Sequence, residues 1–268
     1  MKPKFGYDII QSGKSQLMSA AEIGRGKTHM VNAGSRIVNN WIYPIDQGYV
    51  LIDTGYENGF GRLKKKLAAL NIDVQQIRYI FLTHAHDDHA GYLNEMLLEC
   101  PDTQVVMSSR ALEGLYRGQN SFRGGCTNRL ALGFCSLMKL AGKSRHLFPE
   151  LRREHQRRCI QVNEQNRTQV EFLLQGKIID TPGHTVDSMS LFLRDGSLFC
   201  GDAAMNGLPS LHRITIWAED KTAFLKSWET IIALRPKIIY PGHGKPFKYG
   251  ELIANINRAK NMKLLPLS

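Results

Sequence analysis

Long apolar runs are missing from this 268-residue chain. None approaches the roughly 20 residues that a membrane-spanning helix needs, so no span is expected. The amino terminus, MKPKFGYDIIQSGKSQ, is basic but has no continuous apolar core and no small-residue cleavage site, which argues against a secretory signal. Cysteine is scarce and odd in number, with Cys100, Cys126, Cys135, Cys159 and Cys200 and no C-x-x-C pair. That pattern argues against a disulfide framework or a cysteine metal clip and fits reduced thiols in a cytoplasmic protein. Acid is missing from one stretch. From Arg110 to Arg158 there are eleven Lys or Arg, three Glu and no Asp, in a chain of net charge +11. An anionic substrate or partner is the functional reading of that imbalance, and a solvated basic surface is the alternative.

What is present reads as an α/β chain long enough for one large domain. RIVNNWIYPIDQGYVLIDTG reads as two strands around a turn at Asp46-Gln47-Gly48. FGRLKKKLAALN carries apolar residues at a helical period, IRYIFLTH is a buried strand, GYLNEMLLEC a helix stopped by Pro101, and TQVVMS a further strand. The alternation breaks at residue 108. From there to about 175 the chain is Arg-rich and helical in part, and it reads as an insert or cap on a single domain spanning 1–268. Within it, Leu130, Phe134, Leu137, Met138 and Ala141 share one helical face. Strands resume at GKIIDTPGHT, SMSLFLRDGSLFCGD and PKIIYPGHG. The helix KTAFLKSWETIIAL, capped near Asp220, lies between the last two, and GELIANINRAKNMKLL closes the chain as a helix.

Four strand ends share a feature. LTHAHDDHAGY places His84, His86, Asp88 and His89 within six positions, TPGHT carries His184, GD carries Asp202, and PGHG carries His243. Strand ends on one edge of a sheet are where α/β proteins gather functional groups, and Gly- and Pro-rich turns aim side chains. Any one of these histidines alone would more often be a packed or solvated residue. Five histidines and two aspartates at turns are hard to explain by packing, and imidazole with carboxylate suits zinc, iron or manganese. His29, His146, His155 and His212 lie outside the pattern.

Taken together, these motifs resemble the metallo-β-lactamase-fold superfamily of hydrolases, over roughly residues 30 to 107 and 176 to 246. The resemblance implies a four-layered αββα sandwich carrying the helical, Arg-rich insert, with two divalent metals, zinc foremost, at one edge of the sheets. By the family pattern His84, His86 and His184 would hold the first metal and Asp88, His89 and His243 the second, with Asp202 bridging. A metal-bridging hydroxide would then attack an ester, thioester, lactone or related bond. Asp88 and Asp202 are the catalytic candidates, and Asp53 in LIDTG is expected to be the outer acceptor for a metal-bound histidine.

Departures from the branches of that family narrow the reading. Asp202 stands where drug-hydrolysing β-lactamases lack a bridging aspartate. His86 stands where flavodiiron proteins carry Glu. DAAMN after the bridging position lacks the Tyr of acyl-homoserine lactonases, and only 24 residues follow Gly244, short of a glyoxalase II helical domain. A mononuclear-iron persulfide dioxygenase, using His84, His184 and Asp202, stays open. The insert is expected to cap the site and select an anionic small molecule, with Arg152, Arg153, Arg157 and Arg158 as substrate-binding candidates. A phosphodiesterase acting on nucleic acid, gripped through RREHQRR, or on phospholipid is a second reading. A membrane-surface role for the 127–142 helix is a third.

Overall fold

The computed structural model describes residues 30–267. Two sheets stack face to face. The first has strands β1 (Val31–Asn32), β2 (Trp41–Ile45), β3 (Gly48–Ile52), β4 (Ile77–Phe81), β5 (Gln104–Ser108) and β7 (Cys159–Val162), in the order β1-β2-β3-β4-β5-β7. The β2–β3 hairpin turns on Asp46-Gln47. From β3 onward the neighbours are parallel, so the carboxyl ends of β3, β4, β5 and β7 lie along one edge. The second sheet holds β8 (Gly176–Asp180), β9 (Met189–Leu193), β10 (Ser197–Gly201) and β12 (Ile238–Pro241), in the order β12-β10-β9-β8, with β10 parallel to β12. A small two-stranded sheet pairs β6 (Gly125–Cys126) with β11 (Trp217–Ala218).

Alternation along the strands builds three apolar layers. Tyr43, Val50, Ile52, Tyr79 and Phe81 face Ile178, Leu191 and Phe199 between the sheets. The opposite face of the first sheet, with Ile42, Leu51, Ile80 and Val105, packs on helices α1 (Phe60–Ala69), α3 (Leu93–Glu99) and α4 (Ala111–Arg117) through Leu63, Leu67, Leu93, Met96 and Leu115. The short helix α2 (Asp87–Ala90) precedes α3. Leu198, Cys200 and Ile239 of the second sheet meet Phe224, Trp228 and Ile231 of α7 (Lys221–Leu234) and Leu252 of α8 (Gly250–Asn261). Asp220 caps α7, accepting from the backbone N–H of Thr222 and Ala223. The result is helix, sheet, sheet, helix.

The region expected as one insert, 108–175, divides. Its last part belongs to the sandwich: β7 extends the first sheet beside β5, and α6 (Arg167–Leu174) buries Val170 and Leu174 in the layer between the sheets. Helix α4 and Phe148 and Leu151 pack into the outer layer of the first sheet. What lies outside the layers is the segment from Gly118 to about Leu147, carrying β6 and helix α5 (Arg129–Leu140). The apolar face read on that helix does not enter the core: Leu130, Phe134, Leu137 and Leu140 are exposed, and Ala131 is its buried residue.

Candidate metal centre

The site forms where the sheets are sewn together at the carboxyl edge. Met189 donates its backbone N–H to the Thr83 carbonyl at 2.8 Å, Asn39 to Gly242 O at 2.8 Å, and Trp41 Nε1 to Pro241 O at 3.0 Å. Past β3 the chain enters Asp53, whose φ of 58° lies in the left-handed region that a non-glycine residue adopts at a cost. That bend turns its carboxylate back under the neighbouring strand end. Past β4 the chain runs through Thr83 into the histidine-rich turn. The two loops are stitched together by Thr54 N to His89 O at 2.7 Å and Gly91 N to Gly55 O at 2.8 Å.

The structure brings His84, His86, Asp88, His89, His184, Asp202 and His243 into one cluster. His84, His86 and His184 form one group, Asp88, His89 and His243 a second, and His84, His89 and Asp202 a third, each with candidate donor atoms within 4.8 Å of one another. Asp202 faces both sides: Oδ2 lies 3.7 Å from His184 Nε2 and 3.4 Å from His243 Nε2, and Oδ1 lies 3.6 Å from His89 Nε2. Gly242 makes room for it, since a Cβ there would stand 2.6 Å from Asp202 Oδ1 and 2.7 Å from His89 Cε1. A side chain at Gly201, where φ is +50°, would collide with Thr83 Oγ1 at 2.5 Å.

Outer hydrogen bonds orient the rings. Asp53, buried to 1% exposure, accepts from Thr83 N at 2.7 Å, Thr83 Oγ1 at 2.8 Å and His89 Nδ1 at 2.7 Å. With its proton given to Asp53, the Thr83 hydroxyl accepts from His84 Nδ1 at 2.9 Å. His184 Nδ1 donates to Trp217 O, and His243 Nδ1 to Ile37 O, both at 2.8 Å. In these four histidines the engaged Nδ1 directs Nε2 into the cluster. His86 is reversed: its Nδ1 lies 3.1 Å from His184 Nε2.

That arrangement fits metal ions better than it fits itself. Buried polar atoms normally find partners. Nε2 of His84, His86 and His89 and Oδ1 of Asp202 are buried and make no hydrogen bond. The 3.1 Å between His86 Nδ1 and His184 Nε2 and the 3.0 Å between His243 Nε2 and Asp88 Oδ2 approach the spacing, roughly 3.3 Å, of two ligands on one tetrahedral zinc.

The electrostatics are those of a site built around cations. Burial pushes the pKa of His84 and of His86 well below the usual imidazole value, and neighbouring histidines add to that. For His89, burial acts downward but Asp88, Asp53 and Asp202 prevail and raise it to about 10. For His243, burial is likewise outweighed by Asp202 and Asp88, which raise it to about 9. Burial would lift Asp88, yet His89 and His243 hold its carboxyl well below the usual range. Without metal, the second group thus holds protons where metal charge would sit.

Several residues at the site lie outside the sequence pattern. Thr83, within the histidine-rich segment, links Asp53 to His84. Asp187 Oδ2 accepts from Ala85 N at 2.9 Å. Asp87 accepts from Asn120 Nδ2 at 2.7 Å and from His146 Nδ1 at 3.3 Å, tying the protruding segment to the metal-motif turn. Tyr56 is part-exposed; burial, then the charges of Asp88, Asp87 and Asp202, raise its pKa, so its hydroxyl keeps its proton.

The four arginines expected to bind substrate are not brought to the cluster. Residues 152–158 run along the outer side of α3, from Asn94 in its first turn to Cys100 past its end. Arg158 donates to the carbonyls of Cys100 at 2.9 Å, Pro101 at 3.0 Å and Leu97, so it caps that helix's carboxyl end. Arg157 and Arg158 precede the amino end of β7, a strand length of roughly 13 Å from the metal edge. Arg152 pairs with Glu154 at 3.6 Å, and Arg153 and Arg157 line a surface groove with Gln156 and Gln161. The linear charge cluster carries no information on which end of β7 it flanks.

The model of the Metallo-beta-lactamase superfamily matches residues 33–243. A Drosophila melanogaster protein named Beta-lactamase-like protein 2 homolog is 27% identical over 234 residues, 84% of this chain; the chain spans 61% of that relative's length. Bacillus subtilis YobT is 28% identical over 218 residues, covering 78% of this chain and 83% of its own. Among solved structures, TTHA1623, crystallised in a di-iron-bound form, superposes with a TM-score of 0.56 at 22% identity, covering 85% of this chain and 98% of that one.

Proposed function

Because the chain belongs to the metallo-beta-lactamase superfamily, most of whose members are metal-dependent hydrolases, we propose that it is a binuclear hydrolase. Its substrate in this reading is an anionic small molecule carrying an ester, thioester, lactone or related bond. The observation that carries the reading is the set of buried, unpartnered donor atoms on His84, His86, His89 and Asp202. His84, His86 and His184 would hold one metal, Asp88, His89 and His243 the other, and Asp202 would serve both. Bound metals supply Lewis acidity toward the substrate's oxygen and lower the pKa of water. Zinc suits the nitrogen-rich set; iron is the second choice, favoured by the di-iron form of a structural relative.

The chain's own residues do the rest. Asp53 fixes His89 and, through Thr83, His84, so the rings need not reorganise. Asp88, held ionised and part-exposed, is a ligand first and an acceptor of substrate protons second. Tyr56 retains a proton to donate to a substrate oxygen. Beside the His184 loop lie the guanidinium of Arg110, which donates to Val186 O at 3.3 Å, and the backbone of Arg123, whose carbonyl accepts from Trp217 Nε1 at 2.8 Å. In this reading these two arginines attract the anion, in place of those at 152–158.

A screen of anionic esters, thioesters, lactones and phosphodiesters tests the proposal. At least one class should turn over, with loss on Asp202→Ala and on chelation, and with kcat/KM falling as salt rises. Arg110→Ser with Arg123→Ser should raise KM more than it lowers kcat. Turnover unchanged by Asp202→Ala would remove that residue from the reaction.

A further inference from the structure

The protruding segment wears its hydrophobicity inside out. In helix α5 the residues facing the body are small or sparing: Ala131 is buried, and Cys135 reaches the thiol of Cys126. Leu132 and Met138 are half-buried, but four bulky residues face outward. Leu130, Phe134, Leu137 and Leu140 fall within about 120° of the helix circumference at 100° per residue, and Leu137 and Leu140 are 64% and 86% exposed. Phe122 and Leu147 flank them, also exposed. Six of the thirteen large apolar side chains exposed among the described residues therefore lie between 122 and 147. A contiguous exposed apolar patch marks a contact site.

Its charge says what the contact is with. From Gly114 to Pro149 there is no acidic residue, while Arg117, Arg123, Arg129, Lys139, Lys143 and Arg145 all lie there. All six are exposed. A second copy of the same face would oppose cation to cation. A nucleic acid would satisfy the cations and leave four large apolar side chains in water. A surface that takes apolar side chains and cations together is the headgroup and acyl boundary of an anionic bilayer. We propose that the 118–147 segment docks on anionic phospholipid membrane, with Leu130, Phe134, Leu137 and Leu140 inserted and the basic residues on the headgroups. The same segment is tied to the metal-motif turn through Asn120 and His146 on Asp87, and to the His184 loop through Arg123 and Trp217. Docking would therefore hold the mouth of the site at the membrane surface. The inference stands on exposure and charge and is independent of the hydrolase reading.

Co-sedimentation of the full chain with phosphatidylcholine vesicles, with and without phosphatidylserine, tests it. The chain should pellet with the anionic vesicles, weakly with the neutral ones, and less as salt rises. Leu137→Ser with Leu140→Ser should weaken binding at least about tenfold with an unchanged unfolding midpoint, since both side chains are exposed. Lys143→Ser and Arg145→Ser should each cost about fivefold on anionic vesicles. Failure of the wild type to bind anionic vesicles would overturn the proposal. So would leucine variants that bind as well as wild type. A concentration-dependent dimer that these variants dissociate, without vesicle binding, would assign the face to a second copy instead. A raised KM for long-chain substrates, without vesicle binding, would assign it to a substrate acyl chain.

Discussion

Replacing Asp53 by Asn changes one atom and sets a donor against the two hydrogen bonds on Oδ2. The carboxylate receives three donors: Thr83 N on Oδ1, and Thr83 Oγ1 and His89 Nδ1 on Oδ2. An asparagine oxygen can keep the first. Its amide nitrogen must then face the Thr83 hydroxyl and His89 Nδ1, donor against donor. Relief comes if His89 moves its proton to Nε2, the nitrogen that faces Asp202 and Asp88. A proton there occupies the lone pair a metal would use. Loss of such an outer partner typically weakens metal binding about 10–100-fold, or about 1.4–2.7 kcal/mol. That agrees with about 1.5–3 kcal/mol for one hydrogen bond to a charged group. Zinc titration against a chromophoric chelator, comparing wild type with Asp53→Asn, reads the effect. The site using Asp88, His89 and His243 should weaken by that factor. The other should weaken less, through Thr83 and His84. Unchanged affinities at both sites, with or without a drop in unfolding midpoint, would reduce Asp53 to a turn residue and refute the reasoning.

Three further outcomes follow from the geometry. His89 and His243 are raised to about 10 and about 9 in the metal-free chain, so zinc binding near pH 8 should release about two protons, measurable in weakly buffered solution. Because folding raises both pKa values above about 6.5, their stabilisation of the metal-free fold is full below that pH and is lost as pH rises through 9 to 10; the metal-free unfolding midpoint should fall over that window. Arg158→Ala should lower stability by about 1–3 kcal/mol through the uncapped α3 carbonyls, and leave KM for any active substrate unchanged; a raised KM would return that arginine to the site.

The sandwich was legible in the sequence because its elements are locally consistent. The β2–β3 hairpin has a turn between alternating strands, β4 is an apolar run that ends in the histidine-rich segment, and α7 carries its own Asp220 cap. The seven cluster residues were legible because each lies in the turn, or the short helix α2, that a strand feeds at its carboxyl end. What escaped reading depends on contacts distant in the chain. β7 is four residues, CIQV, and is a strand only because β5 lies beside it; hence residues 159–174 read as insert. His146 and Asn120 reach Asp87 from 59 and 33 residues away, with no motif to announce them. Helical periodicity grouped Leu130, Phe134 and Leu137 on one face but could not say whether that face meets the body or solvent.

The central claim is that this chain holds two metals through one cluster of five histidines and two aspartates. Metal analysis of protein purified without chelator, followed by titration of the stripped protein, tests it most directly. Two equivalents of divalent metal per chain, both lost from the Asp202→Ala variant more readily than from wild type, is the predicted result. A reproducible single iron per chain, with no second site on titration, would contradict the binuclear account and favour a mononuclear oxygenase chemistry on the same fold.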